Sequence, residues 1–391
     1  MSWKTLFLAT LLALCPIMAR ADPTPRVVEV KTNEAILRVG NTDDFDRLTP
    51  QLAGARLSVV REDGDWYGVA LGPNRTGWIA KADVTALPPE TPAPAAHLVN
   101  VWCHPKKDAV DIDFELSQPV AVEVRETEQP PTLQVSLATT TLVMFEIRQP
   151  HGTELVRSIV VDQPADGVAT ATIALSSPRL WGYHLTRSAK GVTLEVRKPP
   201  TQDNTVVILD PGHGGSDTGA VGLHGLREKA VNLAVALAVR ERLQKAGIKV
   251  VMTHDTDAAV AAQKPDELAA RVAAGRAARG TVFVSIHHNA RPKVEDGRVA
   301  HGTWIYFYRP QSRTLAAALA APVAHAIHEP DYGPIWRSFH VIRQSDMPAV
   351  LIEVQFISNP KWEQDMRTPE YVAHVSAAIA NSIRTWLGET R

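Results

Sequence analysis

Four residues in the second half of the chain have types and positions that suit chemistry. His213 lies in Asp210-Pro211-Gly212-His213-Gly214-Gly215, directly after an apolar run. Glu228 sits in Arg227-Glu228-Lys229, where a helical stretch begins. His287 follows Val284-Ser285-Ile286 and precedes His288 and Asn289. Glu353 follows Ala349-Val350-Leu351-Ile352. Two histidines and a glutamate make a three-ligand set for zinc, and a fourth position left to water is the arrangement of a catalytic metal rather than a structural one. Such a metal acidifies its water and polarises a carbonyl oxygen. Hydrolysis also needs a carboxylate to take the water's proton and return it to the leaving amine, and Glu353 fits that role. Adjacent residues on a strand point to opposite sides, so only one of His287 and His288 can reach the metal. Ten of the 14 histidines fall in residues 204–391. His224, His254, His301, His325, His328, His340 and His374 among them need no role beyond surface or core.

Positioning these residues requires an α/β unit over 204–391. Val206-Val207-Ile208-Leu209 reads as a buried strand, with further strands at 249–253, 282–286, 303–308 and 349–352. Helices fit 266–279, 312–328 and 369–387. Between the first two strands, Ala230, Leu233, Ala234 and Leu237 keep helical spacing, and Gly247 closes that helix. Sites in open α/β sheets form at the carboxyl ends of strands. His213, His287 and Glu353 are expected at such ends, with Glu228 opening a helix nearby.

The run Ile208-Leu209-Asp210-Pro211-Gly212-His213-Gly214-Gly215-Ser216-Asp217-Thr218-Gly219-Ala220 resembles the opening of the zinc-dependent N-acetylmuramoyl-L-alanine amidases, the amidase-3 family. The resemblance continues through Glu228-Lys229, Phe283-Val284-Ser285-Ile286-His287, Pro348-Ala349-Val350-Leu351-Ile352-Glu353 and Phe356-Ile357-Ser358-Asn359. It implies one zinc bound by His213, Glu228 and His287, with Glu353 as the catalytic carboxylate. It also implies cleavage of the amide between N-acetylmuramic acid and the first L-alanine of the stem peptide. The family pattern selects His287 over His288. His288 stands where a small residue is usual, Gln355 where a glycine is usual, and Thr253-His254 where Thr-Arg is common. Some relatives insert a long inhibitory helix after the second zinc histidine. Only 12 residues separate Asn289 from Gly302, too few for such a helix.

The first half of the chain carries no catalytic constellation. Residues 24–87 read as a small β-barrel, with short strands divided by Glu62-Asp63-Gly64-Asp65 and Gly72-Pro73-Asn74. Leu37-Arg38-Val39-Gly40, Gly64-Asp65-Trp66-Tyr67-Gly68-Val69 and Thr76-Gly77-Trp78-Ile79 resemble bacterial SH3-like domains, which often hold cell-wall peptides. Residues 88–97 form a stiff Pro/Ala linker. Residues 98–199 alternate strictly (Val110, Ile112, Phe114, Leu116; Val120, Val122, Val124; Leu133, Val135, Leu137), as an all-β sandwich does. That stretch weakly resembles the AMIN-type β domain preceding many cell-wall amidases.

Composition bounds the class. Hydrophobic residues make up 45% of the 391 and charged residues 21%, which excludes global disorder and a multispanning membrane protein. Lys4, the apolar run Leu6 to Leu14 and Ala19-Arg20-Ala21 read as a signal peptide over residues 1–21. Its removal takes the net charge from -1 to -3, since Lys4 and Arg20 leave with no acid. A near-neutral chain has no footprint for nucleic acid. Only Cys15 and Cys103 are present, so loss of the leader excludes an intramolecular disulfide. The expectation is an exported monomer without a membrane span, acting on peptidoglycan in the periplasm or outside the cell. Two other readings fit the sequence less well. An inactive wall-binding protein would be expected to have lost one of the four positions. A zinc peptidase commonly uses His-x-x-Glu, whereas His213 and Glu228 are 15 apart.

Overall fold

The structure is a computed structural model, and it describes residues 26–33, 35–143, 146–262, 264–291 and 301–388. The signal-peptide reading, on residues 1–21, lies outside the described residues. So does most of the segment between Asn289 and Gly302.

Six short strands come first: β1 (Val27–Val30), β2 (Leu37–Arg38), β3 (Arg56–Asp63), β4 (Trp66–Gly72), β5 (Arg75–Ala80) and β6 (Val84–Ala86). They form one antiparallel sheet in the order β2-β5-β4-β3-β1-β6. Val28, Leu37, Leu57, Val69 and Ile79 fill its core. Trp66 and Trp78 are only half-buried, and the Arg38 guanidinium lies over the Trp66 ring.

Residues 88–95 carry no regular element, and Ala96 and His97 already belong to the next strand. Ten strands follow: β7 (Ala96–Pro105), β8 (Ala109–Leu116), β9 (Val122–Glu128), β10 (Pro131–Ala138), β11 (Thr140–Leu142), β12 (Ile147–Arg148), β13 (Val156–Ala165), β14 (Val168–Leu175), β15 (Tyr183–Ser188) and β16 (Gly191–Arg197). They form two sheets, β13-β14-β10-β9 and β11-β7-β8-β16-β15, with β12 also on β7. The alternating residues Val110, Ile112, Phe114, Leu133, Val135 and Leu137 are all buried in one core, as a period of two requires when one face is covered. Cys103 is a free thiol buried in β7, and burial pushes its pKa up to about 11, which leaves it inert.

The last unit is a mixed α/β sheet. Its strands are β17 (Val206–Pro211), β18 (Lys249–Met252), β19 (Val282–Asn289), β20 (Thr303–Phe307), β21 (Asp331–Trp336) and β22 (Ala349–Phe356), in the order β18-β17-β19-β22-β20-β21. The four strands β18, β17, β19 and β22 are parallel, and β20 runs antiparallel to β22. The helices are α1 (Glu228–Lys245), α2 (Lys264–Ala277), α3 (Arg313–Ala326), α4 (His340–Arg343), α5 (Pro360–Asp365) and α6 (Pro369–Gly388). One sheet face packs on α1, α3 and α6 through Val235, Val239, Leu319, Ile379 and Trp386; the other meets α2 and α4 through Val272, Val341 and Ile342. Among the described residues, no helix is long and apolar enough to cross a membrane.

The helix expected from the spacing of Ala230, Leu233, Ala234 and Leu237 forms as α1, and one strand boundary is corrected. The stripe Ala230, Leu233, Ala234 and Leu237 does not face the core; Ala230 and Ala234 are exposed. The buried face of α1 is Glu228, Val231, Asn232, Val235, Ala236 and Val239. This helix is rich in Ala, Val and Leu all round, so apolar spacing alone leaves its phase open. The buried polar pair Glu228 and Asn232 sets it. Glu353 also does not end its strand, because β22 runs on to Phe356.

The units are packed on one another rather than strung out. Gln51 exchanges two hydrogen bonds with the Val122 backbone, at 2.9 and 3.1 Å. Trp181, which precedes β15, inserts into the α/β core and meets Trp386 edge-on with ring centroids 5.3 Å apart. Trp181→Ala should therefore lower the stability of the α/β unit by about 3–5 kcal/mol, the usual loss for a buried tryptophan. Urea unfolding of the full chain reads this as a lower midpoint, and an unmoved midpoint would contradict it.

Candidate metal centre and active site

Strand β17 delivers the chain into the glycine-rich turn at its carboxyl end. His213 follows with φ +68°, a left-handed conformation that costs a non-glycine residue energy and concentrates at functional sites. A Cβ on Gly212 would collide with the His287 imidazole. One on Gly219, at φ +62°, would lie 2.5 Å from a Glu228 oxygen and 2.6 Å from the His213 ring. Both glycines are required by close approach to the same cluster.

That cluster is His213, Glu228 and His287, whose ligand atoms all lie within 4.8 Å of one another. His213 Nε2 stands 3.1 Å from Glu228 Oε2, and His287 Nδ1 stands 2.9 Å from Glu228 Oε1. The two imidazoles meet nearly at right angles, at 78°. His213 Nδ1–H donates to Asp217 Oδ2 at 2.8 Å, which leaves Nε2 as the coordinating nitrogen. Two imidazoles and a carboxylate converging in this way suit a divalent cation, so the residues fit a metal. Burial alone would push the Glu228 carboxyl up, yet hydrogen bonds to His213 and His287 and their charge hold it well below the usual carboxylate range. His213 is raised despite its burial, because Glu228 and Asp217 favour its charged form.

Glu353 pairs in register with His287 across β19 and β22, so its carboxylate shares the sheet face with the cluster. Its Oε2 is buried and meets no hydrogen-bond partner among the described residues. Burial and then the Glu228 charge push this carboxyl well above its ordinary value. On its other side, Trp304 of β20 stands opposite in register, with its indole Nε1 buried and unpartnered among the described residues. Tyr306 lies further along that strand, pushed up to about 12 by burial and the Glu353 charge.

His288 points away from the cluster. Its Nδ1–H donates to Asn232 Oδ1 at 2.7 Å, and its Nε2 accepts from Tyr371 Oη at 3.0 Å. Burial lowers its pKa to about 3, so the ring is neutral and both nitrogens are occupied. His254 faces the carbonyls of Pro211 and Thr256, bracing the turn that carries His213. Gln355 is fully buried beyond Glu353, its Oε1 without a partner among the described residues. His224 docks on Glu363, which also accepts from the His224 and Leu226 backbone and so fixes the loop before α1.

The buried supports were not visible in the sequence. Arg271 on α2 donates to Asp210 Oδ1 at 2.7 Å, to the Pro211 carbonyl and to the His213 carbonyl at 2.8 Å each. Asp210 accepts in turn from Thr253 and Ser285, both at 2.7 Å. Asn232 donates to the Gly212 carbonyl and to Glu228. Asp210 and Asp217 sit inside the motif around His213, but nothing local marks Arg271 as their partner, 61 residues from Asp210.

An α/β unit with a candidate His/Glu/His metal site and a free carboxylate beside it is of the hydrolase class. Residues 207–385 match the family model described as N-acetylmuramoyl-L-alanine amidase. A probable cell wall amidase of Staphylococcus saprophyticus, LytH, is 33% identical over 193 residues, covering 49% of this chain and 60% of that protein. An uncharacterized protein of Bacillus subtilis, YqiI, is 35% identical over 191 residues, covering 48% of this chain and 86% of that one. The solved catalytic domain of CwlV, an N-acetylmuramoyl-L-alanine amidase from Bacillus (Paenibacillus) polymyxa var. colistinus, is 35% identical with a TM-score of 0.43, covering 47% of this chain and 98% of that one. The chain belongs to the N-acetylmuramoyl-L-alanine amidase family. It spans about 60% of the length of the staphylococcal protein, and the family match lies wholly within the α/β unit.

Asp217 orients His213 without belonging to the ligand cluster itself. Asp217→Asn should lower metal affinity by about tenfold to a hundredfold, the usual effect of losing such a partner. Competition with a chelator measures this, and unchanged affinity would contradict it.

Proposed function

We propose that the chain is a zinc-dependent amidase that hydrolyses the bond between N-acetylmuramic acid and the L-alanine of the peptidoglycan stem peptide. The observation that carries the reading is the convergence of His213, Glu228 and His287 with Glu353 in register beside them. A zinc ion held by those three residues would polarise the scissile carbonyl and acidify a water molecule. Asp217 holds the His213 tautomer, and Arg271 fixes the backbone on which His213 is carried. Glu353 takes the proton from the attacking water and delivers it to the departing alanine nitrogen. Its unpartnered oxygen and raised affinity for a proton suit both halves of that transfer. Trp304, on the strand opposite, offers an indole N–H to the bound substrate.

The remainder of the chain fits the same setting. Residues 24–87 act as an SH3-like module and residues 98–199 as an AMIN-like module, and both keep the catalytic unit on the wall. The catalytic unit covers 204–391. Residues 1–21 export the chain, and the periplasm is the expected compartment. The chain works as a monomer, without nucleic acid and without a membrane span.

Digestion of purified peptidoglycan by the zinc-loaded chain, with the new ends mapped by mass spectrometry, tests the reaction. Peptides with new L-alanine amino termini, alongside intact glycan strands that carry free lactyl carboxylates, are expected. Glu353→Gln should keep zinc and lose at least about a hundredfold in turnover, whereas His213→Ala should lose both. New ends elsewhere in the stem peptide, or full activity in Glu353→Gln, would contradict the proposal.

A further inference from the structure

A cavity of about 730 Å³ lies where the three units meet. It is remote from the metal cluster. Trp304 faces Glu353, and Phe307, which lines the cavity, lies three residues further along β20. At about 3.3 Å per residue that is about 10 Å towards the other end of the sheet. The volume is that of a small-ligand site, and junctions between domains are where such sites concentrate.

The charges on its lining do not all cancel. Arg309 pairs with Glu126 at 3.2 Å, and Arg276 pairs with Asp346. Arg47 and Arg343 both line the cavity; neither makes a close ion pair among the described residues, and Asp43 acts on Arg47 only at longer range. Arg343 is only 8% exposed; one of its terminal nitrogens donates to Ser338, and its Nε is buried with no acceptor among the described residues. Burial and the neighbouring Arg47 lower its pKa to about 10, which places two cations close together. Elsewhere on the lining, Glu126 Oε2 and Glu128 Oε1 are buried acceptors without donors among the described residues. The Tyr308 and Trp336 rings, 5.6 Å apart, supply an apolar wall. Two close guanidinium groups, one with an unsatisfied donor, two unsatisfied carboxylate acceptors and an aromatic wall around one cavity describe a ligand with an anion, a cation and apolar groups between them.

We propose that this cavity is a second binding site, for a short peptide with a free amine and a free terminal carboxylate. The carboxylate sits on Arg47 and Arg343, the ammonium donates to Glu126 and Glu128, and the peptide lies along Tyr308 and Trp336. The inference rests on the proposed reaction in one respect: hydrolysis at L-alanine frees the alanine amine of such a peptide, whereas on the glycan that nitrogen is an uncharged amide. The site is therefore one for the released peptide.

Calorimetric titration of L-Ala-γ-D-Glu-L-Lys into the zinc-loaded full chain tests it. Arg47→Ala, at a half-buried position, should weaken binding about tenfold or more, the worth of one charge-assisted contact. Arg343→Gln should do the same. The N-acetylated peptide and its terminal carboxamide should each bind more weakly than the parent peptide. Hydrolysis by Arg47→Ala at low peptide concentration should equal that of the unaltered chain. Equal binding by Arg47→Ala, or by the N-acetylated peptide, would overturn the site. Cleavage of peptidoglycan without any peptide binding would overturn the site and leave the reaction standing. Peptide binding sensitive to Arg47, in a chain that cleaves no muramyl amide, would support the site and overturn the reaction.

Discussion

The Glu228 carboxylate is the constraint on which the rest of the α/β unit depends. It is the first residue of α1, is almost wholly buried, and has a histidine against each oxygen. A carboxylate cannot be taken from water without such partners. Its burial therefore fixes which face of α1 meets the sheet, how close the glycine-rich turn passes, and where β19 places His287. The backbone N–H of Ala220 donates to the same carboxylate at 2.8 Å, so the loop between β17 and α1 is closed on it as well.

Around this centre the polar network is layered. Arg271 and Asp210 are both nearly inaccessible and lie beneath the turn, and they join α2 to β17, β18 and β19. Breaking a buried pair of this kind is costly because the surviving charge is left uncompensated. The network also absorbs the strain of the left-handed His213 backbone, since its carbonyl is held by Arg271. His288 shows the same economy on the opposite face of β19, where Asn232 and Tyr371 keep it neutral and away from the cluster.

Much of the fold was legible because its periodicities are strong. Val110, Ile112 and Phe114 alternate with polar residues, and the structure buries all three. The four-residue apolar run at Val206 is buried on both faces, as a central parallel strand must be. The short strand β21 was not read, because Asp331-Tyr332-Gly333-Pro334 carries turn residues and its pairing with β20 is a long-range choice. The phase of α1 was not legible for a related reason: several apolar stripes fit it, and a buried glutamate chose between them. Among the residues of the candidate site, His213, Glu228, His287 and Glu353, which the structure brings together, stood out as motifs. Arg271, Asn232 and Trp304 were not, because their roles come from elements that meet only in the folded chain.

The claim at the centre of this account is that one metal ion sits between His213, Glu228 and His287. Zinc content per chain, measured after exhaustive dialysis, tests it most directly when His287→Ala and His288→Asn are compared with the unaltered chain. The account predicts one zinc per chain, lost in His287→Ala and retained in His288→Asn. Zinc retained at full stoichiometry in a folded His287→Ala chain would contradict it.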